Sequence, residues 1–252
     1  ENSWENRKAA TAEMIRQIRP DIMGLQEAFG FQADYIREEC PEYDGVGVGR
    51  DDGADAGERM MIFYRTETVE MLDWGTFWLS ETPEVPSFGW DAACRRTATW
   101  ALLRTKESGR KFYYVNTHLD HRGRAAEKNG LNLIVSRIAS INPEGFPMVL
   151  TGDFNVLPED SVLDELDKVM HSARATAEVT DSTASFNAFG QPLKNAAVGD
   201  QFIDLATTDG LILDYIYYSG FSGCLSFRTV TESFAGVPYI SDHYPVTAVL
   251  KF

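Results

Sequence analysis

The run Lys111–Leu119 constrains the fold more than any other stretch of the 252-residue chain. Its aromatic and β-branched side chains mark a β-strand. Alternation places Phe112, Tyr114, Asn116 and His118 on one face, and Tyr113, Val115, Thr117 and Leu119 on the other. The strand closes on His118, with Asp120 and His121 just behind it. Ionisable groups at the ends of apolar strands recur along the chain. Ile22–Glu27 reads as a short strand ending on Glu27, and Pro147–Leu150 runs into Thr151-Gly152-Asp153-Phe154-Asn155. Asp214 interrupts the apolar segment Ile212–Ile216, within a strand spanning Leu211–Tyr218. Ser241-Asp242-His243 stands just before a last strand, Pro245–Phe252.

Further strands are predicted at Met60–Tyr64 and Ala98–Leu103. A helix opens the chain, with Ser3 at its N-cap, Ala10, Met14 and Ile18 at four-residue spacing, and Pro20 as its stop. A second helix spans 124–141, with Leu131, Ile134, Val135, Ile138 and Ile141 on one side, and a third covers about 160–170. The Gly-rich stretch 44–58 reads as a mobile loop, and a Pro-rich excursion through Pro83 and Pro86 ends in Trp90. With no repeat and no linker, this order predicts one α/β domain over residues 1–252.

Many chemistries are excluded by what is missing. There is no G-x-S-x-G elbow, no G-x-x-x-x-G-K loop and no H-E-x-x-H helix. Gly45, Gly47 and Gly49 fail the dinucleotide fingerprint because Arg50 follows, and Gly53 sits where a calcium loop needs an oxygen ligand. Cys40, Cys94 and Cys224 are scattered, which argues for buried thiols rather than a disulfide frame or zinc knuckle. No apolar run reaches the length of a membrane-spanning helix. The net charge of -15 argues against a broad grip on long nucleic acid, while leaving room for a small anionic substrate met at a metal.

A lone Asp or Asn in a Gly turn is usually a turn former, and His171 at a helix end is read as structural. Asp214 is different, because a charge in an apolar strand needs a donor or cation, for which a His is the natural partner. Hard oxygen ligands such as Glu27 select Mg²⁺ or Mn²⁺ over zinc. A metal beside carboxylates, amides and a His held by an Asp suits hydrolysis of a phosphate ester.

Gln26-Glu27, Asn116-Thr117-His118-Leu119, Gly152-Asp153-Phe154-Asn155 and Ser241-Asp242-His243 resemble, in this order, the motifs of the endonuclease/exonuclease/phosphatase superfamily. The chain looks like a bacterial member near the nocturnin and deadenylase branch. The resemblance implies a four-layer α/β sandwich, in which two packed mixed β-sheets are flanked by helices. It also implies roles. Glu27 would bind a divalent metal, with Asp242 and Glu58 beside it. Asp153 would activate water, and Asn155 would contact the phosphate. His243, held by Asp214, would stabilise the transition state, and His118 would contact phosphate or assist the leaving group. Arg96 resembles a phosphate-contacting Arg, and Asp120 falls in the substrate-binding set. Trp90 and Phe186 are candidate pocket walls. The family carries a metal-site Asn on a strand before the first helix, and this chain begins at the helix, so a first strand is expected upstream.

The expectation is a Mg²⁺- or Mn²⁺-dependent phosphoesterase that hydrolyses a small or nucleotide-like phosphate ester by direct attack of water. The alternative is a nuclease, 3'-5' exonuclease or endonuclease, on single-stranded nucleic acid ends; no long duplex is expected as a partner. A non-catalytic phosphate-binding protein ranks lower, as does a lipid phosphodiesterase, for which Val85, Phe88 and Trp90 would supply an exposed apolar loop. Compartment and oligomeric state are not legible.

Overall fold

The computed structural model describes residues 2–191, 196–198, 201–203 and 210–252. Helix α1 (Trp4–Ile18) leads into β1 (Ile22–Ala28), α2 (Gly30–Glu39), β2 (Tyr43–Val46) and β3 (Arg59–Arg65). Then come β4 (Val69–Trp78), β5 (Thr97–Thr105), β6 (Lys111–His118), α3 (Arg124–Ile141) and β7 (Met148–Asp153). Short α4 (Asp164–Asp167), β8 (His171–Ser172) and α5 (Ala173–Thr176) follow, with a small antiparallel pair, β9 (Ala196–Val198) and β10 (Gln201–Ile203). The chain closes through β11 (Asp214–Ser219), β12 (Gly223–Thr229) and β13 (Val246–Lys251).

These elements stack as an α/β sandwich. One sheet has six strands in the order β4-β5-β6-β7-β11-β8, mixed because β6 and β7 run parallel while the other pairs are antiparallel. The facing layer holds two antiparallel ladders, β1-β3-β2 and β12-β13. Alternation along the strands assigns the cores. Ile62 and Tyr64 of β3 meet Leu103, Phe112, Tyr114 and Phe227 between the sheets. Met61 and Phe63 point the other way, against Ile15 of α1 and Ile36 of α2. Tyr113 and Val115 of β6 pack with Leu131, Ile134 and Ile138 of α3 on the outer face of the six-stranded sheet.

One buried polar residue ties the two sheets together beneath the site. Asn116 of β6 donates through Nδ2 to the carbonyls of Leu25 and Met61, both at 2.9 Å, and accepts from Gln26 Nε2 at 2.6 Å. Gly24 allows this approach, since a Cβ there would stand 2.6 Å from Asn116 Oδ1.

The structure departs from the sequence reading in several places. Residues 44–46, read as the start of a mobile loop, belong to the strand Tyr43–Val46 paired with β3, and Gly45 is required because a Cβ would meet the Phe63 ring at 2.6 Å. The helix expected over 160–170 is only a 3-10 turn, Ser161–Leu163, followed by α4. Strand β11 begins at Asp214, three residues later than read. Ser3 occupies the N-cap of α1 but makes no side-chain capping bond. All three cysteines are free; Cys40 and Cys224 are buried as expected, whereas Cys94 is half-buried. Among the described residues no helix is long and apolar enough to cross a membrane.

Candidate active site

Strand register builds the site. Parallel pairing sets His118 beside Asp153, and antiparallel pairing sets Asp153 beside Asp214. Three neighbouring strands thus bring an imidazole and two carboxylates to one end of the sheet. The turn before β13 brings His243 over them, and its Nδ1 lies 2.7 Å from Asp214 Oδ2. Ser185 fixes this pair from below, its Oγ accepting from the backbone N–H of Leu213 at 3.0 Å and of Asp214 at 3.1 Å.

Asp153 lies between two histidines. Its Oδ2 is 3.4 Å from His118 Nε2 and 3.7 Å from His243 Nε2. Burial and the neighbouring Asp214 push its carboxyl above the usual carboxylate range, against the opposing charge of His243. The two rings are driven apart in charge. Burial works against a proton on His243, but Asp214, Asp153 and Asp242 outweigh it and lift the pKa from 6.5 to about 10. Burial, then the charges of Arg96 and His243, hold His118 well below the ordinary imidazole range.

The tautomer of His118 follows from Asn155. Asn155 Nδ2 donates to the Leu119 carbonyl at 3.1 Å, which fixes the amide orientation and turns the same nitrogen toward His118 Nε2 at 3.0 Å. Nε2 is therefore the acceptor, and the neutral ring carries its proton on Nδ1. That Nδ1 is buried without a hydrogen-bond partner, 4.0 Å from Glu27 Oε1.

Glu27 reaches the site from the facing layer, with an exposed side chain and a backbone φ of 56° at a bulge in the β1–β3 ladder. That left-handed conformation costs a non-glycine residue roughly 1–2 kcal/mol, a strain often found at functional positions. Partial loss of hydration among the converging groups, then the charges of Glu58 and Asp242, raise its pKa. The carboxylates of Glu27, Glu58 and Asp242, close enough for their charges to bear on one another, are hard oxygen donors of the kind that fits Mg²⁺ or Mn²⁺. Ligand atoms of Asp153, Asp214 and His243 also lie within 4.8 Å of one another, as a metal site would require. The His243 proton and its bond to Asp214 make that ring a poor ligand, so the Glu27 side suits a cation better.

The other residues singled out in the sequence fall around this centre. Arg96 is buried, and its charge bears on Glu27, His118 and Asp153. Asp120 has no exposed side-chain surface. Its oxygens accept from the N–H groups of Ala93, Cys94, Arg122 and Gly123, and it pairs with Arg96 at 3.5 Å. The structure therefore places Asp120 behind Arg96 as its anchor, not at a substrate surface. Glu58 pairs with Arg50 at 2.5 Å. The Phe186 ring packs edge-on against His243, centroids 5.0 Å apart, while Trp90 is half-buried. Val85 and Phe88 are each 52% exposed, with the Arg95 guanidinium 4.7 Å above the Phe88 ring. Sequence reasoning missed Ser185 and Arg50 and gave His121 no role. Only the His118-x-x-His121 spacing could have pointed to the last.

The chain matches the family model described as Endonuclease/Exonuclease/phosphatase family over residues 1–243. A mannosyl-6-phosphatase from Bacteroides thetaiotaomicron is 32% identical with a TM-score of 0.88, covering 100% of this chain and 92% of that one. An endonuclease/exonuclease/phosphatase from Bacteroides vulgatus is 37% identical with a TM-score of 0.86, covering 99% and 91%. The human nocturnin catalytic domain shares the fold at 19% identity and a TM-score of 0.69, covering 98% and 88%.

Proposed function

The chain belongs to the endonuclease/exonuclease/phosphatase family, and from that premise we propose that it is a divalent-metal-dependent phosphoesterase acting on the phosphate ester of a small, sugar-like alcohol. The observation that carries this reading is Asp153 set between a neutral and a cationic imidazole, the latter fixed by Asp214. Similarity to a mannosyl-6-phosphatase over the full chain supports a phosphorylated sugar, and the net charge of -15 weighs against long nucleic acid.

In this reading Asp153 takes a proton from water as the water oxygen bonds to phosphorus. Its raised pKa makes it a stronger base than a solvated carboxylate. The P–O bond to the alcohol breaks, and the departing oxygen takes up a proton from solvent. His243, positive because of Asp214, donates from Nε2 to the phosphoryl oxygens as their charge builds. Asn155 and the Nδ1–H of His118 position the phosphate, and Arg96 supplies a fixed positive charge beside it. Glu27 and Asp242 would hold Mg²⁺ or Mn²⁺, which polarises a phosphoryl oxygen and eases departure of the alkoxide. Glu58 acts behind Arg50 and sets the field around Glu27.

The test is a hydrolysis panel with Mg²⁺ or Mn²⁺, covering sugar phosphates, inositol phosphates, nucleotides and single-stranded oligonucleotides, with EDTA controls. Sugar phosphates should be hydrolysed fastest, and EDTA should stop the reaction. Asp153→Ala and His243→Ala should each lower kcat by at least ~10² with the fold intact. Preference for oligonucleotides would favour the nuclease reading, and no hydrolysis of any ester would remove both.

A further inference from the structure

His121 makes a contact that the chemistry above does not use. Arg96 Nη2 lies 3.0 Å from His121 Nδ1, and a guanidinium can only donate, so Nδ1 is the acceptor. A neutral His121 therefore carries its proton on Nε2. Asp120 anchors the back of Arg96, and its four backbone bonds lock the turn on which His121 stands. The ring is exposed, although Arg96 behind it is buried. Burial of its inner edge and the Arg96 charge lower its pKa, so at neutral pH it is an uncharged donor. His121 stands three residues beyond His118, on the turn that leaves the end of β6 where the reacting centre lies.

We propose that His121 is a specificity residue whose Nε2–H donates to a hydroxyl or ring oxygen on the alcohol part of the substrate, while Arg96 behind it serves the phosphate. This inference rests on the phosphoesterase reading and assigns the part of the substrate beyond the phosphorus. An uncharged, pre-oriented donor suits the oxygens of a polyol, because it rewards a neutral acceptor without drawing other anions. A lysine there would not discriminate in this way. The neighbouring cation already serves the phosphate, so a neutral donor has its distinct use on the leaving group.

The experiment compares mannose 6-phosphate with p-nitrophenyl phosphate, which has the phosphate but no hydroxyl groups. Kinetics are measured with Mg²⁺ on wild type, His121→Phe and His121→Gln. Loss of one donor should lower the kcat/KM ratio of mannose 6-phosphate to p-nitrophenyl phosphate about tenfold in His121→Phe, mainly through KM. His121→Gln, which retains an N–H at similar reach, should recover much of that ratio. Equal losses on both esters would overturn the proposal, because the defect would then lie in Arg96 and the phosphate they share. An unchanged ratio would overturn it too. If wild type hydrolyses neither ester, the phosphoesterase reading itself has failed. Calorimetric binding of mannose 6-phosphate and inorganic phosphate to wild type and His121→Phe then decides the contact. Selective weakening of the sugar phosphate supports it, and parallel weakening or none removes it.

Discussion

Asp214→Asn isolates the charge that organises the site while keeping its shape. The amide oxygen can still accept from His243 Nδ1, and the amide occupies nearly the same volume. What disappears is a negative charge held 2.7 Å from the ring. The rise of the His243 pKa from 6.5 to about 10 corresponds to roughly 5 kcal/mol in favour of the imidazolium. Burial opposes that charge, so removing Asp214 leaves the opposition in place and takes away its strongest counterweight. A close opposite charge typically accounts for ~1–3 pH units, so the ring's protonation constant should fall ~10- to ~1000-fold. Asp153 should move the same way, because Asp214 is the neighbour that raises its pKa. Both limbs of the pH–rate profile therefore shift toward acid, with kcat lowered by up to ~10² near pH 9 and far less near pH 6. Stability follows the same sign. The raised pKa of His243 stabilises the wild type fully below pH 6.5, and that contribution fades as pH climbs toward about 10. The variant's deficit should narrow over that window. Nitrogen-detected NMR of the ring from pH 6 to 11, beside the kinetic profile, measures both effects. A ring that titrates at its wild-type pH, or an alkaline limb that stays in place, would refute the reasoning.

Three other outcomes follow from the geometry. Glu27→Gly should raise thermal stability by about 1 kcal/mol, since glycine accepts a φ of 56° without strain, yet abolish metal-supported turnover; a fall in Tm would count against strain at this position. Asn116→Ala should cost about 2–4 kcal/mol in urea unfolding, because the Leu25 and Met61 carbonyls lose their buried donor, and a loss under 1 kcal/mol would show that water replaces it. Glu127, a fully buried carboxyl whose pKa burial raises to about 7 despite Arg124, should make stability fall as pH rises from about 4.5 to 7. Glu127→Gln should flatten that slope and gain up to about 3 kcal/mol above pH 7, and an unchanged slope would assign it to another group.

Elements whose pattern is dictated by burial on their own faces were legible in the sequence. Strand β6 and helix α3 match their expected bounds almost to the residue, because alternation and the 3.6-residue period are local properties. Elements shaped by distant neighbours were not. Helix α2 begins at Gly30 without a polar N-cap side chain, and its first turn is closed by Gln32 Oε1 accepting from the Phe29 N–H. Strand β4 carries Glu70 and Asp73 across a register shift, so its alternation is broken where a pattern would be sought. Gly45 read as loop because its partner in space, Phe63, is 18 residues away.

The site divides in the same way. The groups that end strands could be picked out singly, since a charge closing an apolar run is conspicuous. Their mutual placement comes from register, which no single strand states: His118, Asp153 and Asp214 meet only because one pairing is parallel and the next antiparallel. The supporting contacts are less visible still. Ser185 catches the Asp214 N–H from 29 residues away, and His121 gains a defined tautomer only through Arg96, 25 residues upstream. Asp120 shows the consequence most plainly. By sequence it sits among reactive residues and reads as one of them. In space its acceptors are saturated by the turn that carries His121 and by the loop that precedes Arg96. Its chemistry is spent on position, which is how a carboxylate one residue before His121 can shape the site without touching what is bound there.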